Sequence, residues 1–120
     1  MKRTDPDYPG LCEAAVRILR ERAGAGRDIS YGELSAALAE QGFTTVTPHR
    51  GIMTYLLEDV CLHENADGGA PMLSAIVVNK ASREPSGQFS VLARRLPFAR
   101  PAEWTWQDEQ RALFARYAVS

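Results

Sequence analysis

The stretch Leu73-Ser74-Ala75-Ile76-Val77-Val78-Asn79-Lys80-Ala81-Ser82-Arg83-Glu84-Pro85-Ser86-Gly87-Gln88-Phe89-Ser90-Val91-Leu92 carries the reading of the fold. Its first six residues are short of polar groups, rich in β-branched side chains and preceded by Gly68, Gly69 and Pro71, the pattern of a short buried strand. Residues 79–87 read as a polar loop. Phe89 and Val91 then alternate with polar neighbours, so residues 88–92 read as a returning strand. The pair predicts a β-hairpin.

Three helices are expected before it. Leu11, Ala15, Ile18 and Leu19 fall at helical spacing, and Gly24 and Gly26 offer the left-handed backbone that ends helices, which predicts helix one over 11–23. Ser30 and Glu33 have the spacing of a capping box, with Ile29 and Leu34 placed as a hydrophobic staple, so helix two begins at Tyr31 and runs to about residue 41. Thr47 followed by Pro48 is a third start, because proline at the first helical position loses only an amide that has no intrahelical partner. Helix three runs from there towards His63, with Ile52, Met53, Leu56 and Val60 facing the core. Beyond the hairpin, Pro97 and Pro101 break regular structure. Thr105 and Asp108 then open a last helix whose Trp106, Leu113, Phe114 and Tyr117 share a face. The expected class is α+β, a winged helix-turn-helix of three helices, a β-hairpin wing and a C-terminal helix. Residues 1–10 form an extended lead-in and 11–120 a single winged-helix-like domain.

The chain has 120 residues, of which 45% are hydrophobic and 24% charged, enough apolar content for one folded core. A formal charge of -1 excludes an evenly basic coat, so any polyanion site must be local. The cations gather in the predicted wing region, where residues 71–100 hold five Lys and Arg against one acid, whereas 31–70 hold one against six. Cys12 and Cys61 cannot build a disulfide framework. No segment reads as a signal peptide or a membrane span, so a cytoplasmic protein with no membrane partner is expected.

Enzymatic motifs are missing. Cys61 and His63 lack the second paired spacing of a zinc site, Gly68-Gly69 lacks the Lys and Ser or Thr of a phosphate-binding loop, and Lys80 has no acid two residues before it as a metal-dependent nuclease would. A non-enzymatic protein without metal or cofactor is expected.

Asp28-Ile29-Ser30-Tyr31-Gly32-Glu33-Leu34 resembles the helix start in the winged-helix part of methylated-DNA cysteine methyltransferases and alkyltransferase-like proteins. Alkyl transfer in that family needs an activated cysteine in a Pro-Cys-His-Arg segment. The nearest letters here, Thr47-Pro48-His49-Arg50, lack the sulfur. A wider resemblance, over roughly residues 28–92, is to small bacterial proteins with a Tyr-Gly-Glu-Leu helix start, a His-Arg pair opening the next helix and a Val-Val-Asn-Lys strand end. Here these are residues 31–34, 49–50 and 77–80. The resemblance implies a winged-helix domain linked to DNA and to bacterial defence or regulation.

In such a domain the third helix presents its N-terminal end to the major groove and the wing lies on the backbone. The expected contacts with double-stranded DNA are Thr47, His49, Arg50 and Thr54 on helix three, with Lys80 and Arg83 on the wing. Arg50 and Thr54 share a face, and arginine pairs with a guanine edge. The plain alternative is a solvated helix start, with Arg50 paired to a nearby acid. The rival function is a protein-interaction module using the acidic stretch 58–67, and the terminal helix leaves a homodimer open.

Overall fold

A computed structural model describes residues 2–43, 52–64 and 68–118. Thr47, His49 and Arg50 lie outside these residues, as does the predicted start of helix three. Within them the order is α1 (Tyr8–Gly24), β1 (Ile29–Ser30), α2 (Tyr31–Glu40), α3 (Ile52–Glu64), a 3-10 turn (Leu73–Ile76), β2 (Val77–Val78), α4 (Gly87–Arg94) and α5 (Trp106–Tyr117). This is an α+β domain. Among the described residues no helix is long and apolar enough to cross a membrane.

The helix starts follow local chemistry. Pro9 sits in the first turn of α1, which begins three residues before the apolar spacing does, and residues 2–7 fold into turns, with the Asp5 amide donating to the Lys2 carbonyl and that of Tyr8 to Asp5. At α2 the capping box forms as spaced: the Glu33 amide donates to Ser30 Oγ at 3.1 Å and the Ser30 amide to Glu33 Oε1 at 3.0 Å. Thr105 and Asp108 repeat it at α5. Ile29, Leu34 and Leu38 are fully buried, at roughly 1.5–3 kcal/mol of transfer free energy per side chain.

The hairpin is not there. Val77–Val78 pairs in parallel with Ile29–Ser30, in the register Ile29 with Val77 and Ser30 with Val78. A parallel pair needs a long crossover, and here α2, α3 and the 3-10 turn supply it. Residues 79–84 close into a tight turn, with the Arg83 amide on the Asn79 carbonyl at 2.8 Å and the Asn79 amide on that of Glu84 at 2.9 Å.

The predicted first strand shortens to Val77–Val78, its first four residues forming the 3-10 turn, for a reason visible in its burial. Every residue from Met72 to Val78 is buried, so no polar face exists to mark an alternation. Leu73 and Ile76 enter the core formed by α1, α2, α3 and Leu113, whereas Met72 and Ala75 enter a second core with Cys61, Phe89, Leu92, Ala93 and Phe98. Side chains three apart share a side, the period of a 3-10 turn, so the turn serves two cores at once. The predicted return strand is α4. Phe89, Leu92 and Ala93 face the second core at helical spacing, and Val91, which the alternation paired with Phe89, is 57% exposed. The winged-helix expectation therefore loses its wing.

The last helix keeps its predicted face. Leu113 is buried, Phe114 and Tyr117 pack on the first core and Trp106 on the second. Glu109, buried on the same helix, meets Arg100 there.

Candidate nucleic-acid interface

Of the six expected contacts, the described residues hold Thr54, Lys80 and Arg83. Thr54 is exposed in the first turn of α3, since Ile52, Met53, Leu56 and Leu57 take the buried side of that helix. Thr54 lines a half-open cleft of about 150 Å³ between α3, α4 and the start of α2, with Tyr31, Met53, Ser74, Ser86 and Phe89 among its walls. The Tyr31 hydroxyl donates to Ser86 Oγ at 2.9 Å. Ser74 is held from behind by the buried Cys61, with Sγ and Oγ 3.1 Å apart. Burial pushes the Cys61 thiol up to about 11, the reverse of the activation a nucleophilic cysteine needs.

Arg83 stands elsewhere. It pairs with Asp28 and lies 3.6 Å from Glu33, and Arg22 lies 3.7 Å from the same carboxylate. This groove, which includes Arg27 and Phe114, shares no lining residue with the cleft that holds Thr54. The amide and hydroxyl of Ser30 hold the Glu33 carboxyl below the usual range. Lys80 is exposed and lines neither. Thr54 and Arg83 thus line different hollows of the surface.

The other cations of residues 71–100 make contacts within the domain. Arg94 donates to the carbonyls of Arg100 and Pro101 and lies 5.4 Å over Trp104. Arg95, at the end of α4, pairs with Glu58 at 3.4 Å, and Arg100 with Glu109 at 2.9 Å. The basic wing predicted from the charge count is spread over intramolecular contacts: Arg94 and Arg95 stay exposed at the end of α4, and Glu109 draws Arg100 in.

A different set of charges surrounds α3. Arg3 grips Asp59 with two donors, Nε at 3.0 Å and Nη2 at 2.8 Å, and its guanidinium carbon lies 4.4 Å from the centroid of the Tyr55 ring. The hydroxyl of the buried Tyr8 also donates to Asp59. Burial and this bond push the Tyr8 phenol well above its ordinary value, so it stays a donor. The two acids on this stretch of α3 are thereby each matched: Glu58 by Arg95 and Asp59 by Arg3. The sequence reading missed Arg3, Tyr8 and Arg95 in these roles, and no local signal reveals them, because Arg3 and Asp59 are 56 positions apart.

No family model matches the chain, and neither a curated protein nor a solved structure does.

Proposed function

We propose that the domain binds double-stranded DNA without altering it chemically, through the exposed side of α3. The observation that carries this reading is the state of that side. Thr54 and Tyr55 stand exposed one after the other, and the carboxylates of Glu58 and Asp59 are each neutralised by an arginine from a distant part of the chain. A helix carrying two bare carboxylates would repel phosphate. One whose acids are paired presents hydroxyl and aromatic groups with little net charge against it. Arg50, which precedes α3 in the sequence, would add a base-reading arginine. Lys80 would add a separate phosphate contact. The resemblance over residues 28–92 supports a setting in bacterial defence or regulation.

The test is a gel-shift titration of a mixed-sequence duplex at low and moderate salt, with wild type, Arg50→Ala, Thr54→Ala and Lys80→Ala. Binding that weakens with salt, and weakens further in Arg50→Ala and Thr54→Ala, is expected. Absent binding, or equal binding by all four, rejects the reading.

A protein-partner reading draws on a separate observation: Val91 is 57% and Leu96 86% exposed, on α4 and just after it. Equal duplex binding by wild type and a Val91→Asp, Leu96→Asp protein is expected if α3 is the nucleic-acid side.

A further inference from the structure

We propose that Arg3 is a phosphate-binding residue held in reserve by Asp59, and that it passes from the carboxylate to the DNA backbone when a duplex reaches α3. This rests on the DNA-binding reading above and names a contact that the wing was expected to provide.

Three features of the contact carry it. The first is place: Arg3 lies over the ring of Tyr55, next to Thr54, on the side of α3 that a duplex would approach. The second is cost. The Arg3 and Asp59 side chains are 43% and 26% exposed, and an ion pair so open to water is worth little. A phosphate takes the same two-donor grip from a guanidinium and carries a fixed charge, so the exchange keeps the geometry of the fork. The third is what remains after Arg3 leaves. Asp59 keeps the hydroxyl of Tyr8, which is anchored in the core, so the carboxylate is not stranded without a donor, and Arg3, seated between acid and phosphate, still screens the one from the other. A pair built only to fasten residues 2–7 against α3 would need no second donor on the acid. Here the second donor makes the first one dispensable.

The net effect is an arginine folded against α3 and masked by the acid of the helix it flanks.

The experiment is a double-mutant cycle on duplex affinity at several salt concentrations, using the full chain and Arg3→Gln, Asp59→Asn and the double variant. Asparagine keeps an oxygen for the Tyr8 hydroxyl, and thermal melting checks that each variant is folded. Arg3→Gln is expected to weaken binding about threefold and to lower the salt slope by about 0.9, the share of one phosphate contact. Asp59→Asn is expected to tighten binding, by up to about fivefold, as the restraint on Arg3 is released. In the Arg3→Gln background the same Asp59→Asn change should give no gain. An equal gain in both backgrounds would mean that removing any acid helps, and the proposal fails. An unchanged salt slope in Arg3→Gln overturns it too. If wild type binds no duplex at any salt, the DNA reading itself falls and this inference with it, an outcome distinct from the other two.

Discussion

The guanidinium of Arg100 faces the carboxylate of Glu109 as a two-donor fork, with Nε on Oε1 and Nη2 on Oε2, both at 2.9 Å. Its remaining donors reach the carbonyls of Gly68, Phe98 and Ala70, and the acid also accepts from Trp104 Nε1 and the Met72 amide, both at 2.7 Å. One ion pair thereby ties α5 to the chain before the 3-10 turn and to the chain after α4. The pair is almost fully buried, at 14% and 5% side-chain exposure, and every hydrogen bond named here is internal.

Removing one partner strands the other charge away from water. Arg100→Ala or Glu109→Ala is therefore expected to cost about 3–5 kcal/mol, read from urea denaturation midpoints. A loss below about 1 kcal/mol would mean that water reaches the orphaned charge.

Gly68 supplies one of those carbonyls from a left-handed backbone, at φ +80°. A Cβ there would lie 1.8 Å from the Pro97 carbonyl oxygen, far inside contact distance. Gly68→Ala should destabilise by more than the about 1–2 kcal/mol of the left-handed backbone alone. A melting temperature equal to wild type would contradict the close approach of the two backbones.

Ser30→Ala removes the cap of α2 and is expected to cost about 0.5–2 kcal/mol. The pH dependence has a defined sign. The folded state holds the Glu33 carboxyl below its ordinary value, so its contribution is present above the usual carboxylate range and is lost as pH falls through the depressed value. Glu33→Gln should flatten the acid limb of the stability curve, and an unchanged acid limb would remove the capping carboxylate from the account.

The thiols give an alkaline counterpart. Cys61 rises from 9.0 to about 11 through burial, so its contribution is complete below about 9 and declines as pH rises towards 11. Burial also raises Cys12. Alkylation of the native protein at neutral pH should be slow at both, and at Cys61 should follow unfolding. Rapid labelling of Cys61 in folded protein would show the second core open to solvent.

The two capping boxes and the buried face of α5 were legible in the chain, because each depends on residues close together along one helix; the class α+β holds, but through a parallel pair between distant segments instead of the expected hairpin. Ser30 meets Glu33 in any helix that starts at Tyr31, and Thr105 meets Asp108 for the same reason. Residues 73–78 and 88–92 misled because both are short. Five or six residues hold too few repeats to tell a period of two from one of three or more, and burial on all sides erased the contrast in the first.

What the sequence by itself determined were the capped starts of α2 and α5 and which residues are apolar enough to be covered. Tertiary structure alone decided the parallel pairing of Ile29 with Val77 and the destination of each charge: Arg83 to Asp28, Arg95 to Glu58, Arg100 to Glu109 and Arg3 to Asp59. A capping hydroxyl finds its partner through the geometry of one helical turn. An arginine finds its carboxylate only after the packing of α1, α3, α4 and α5 has set which surfaces meet.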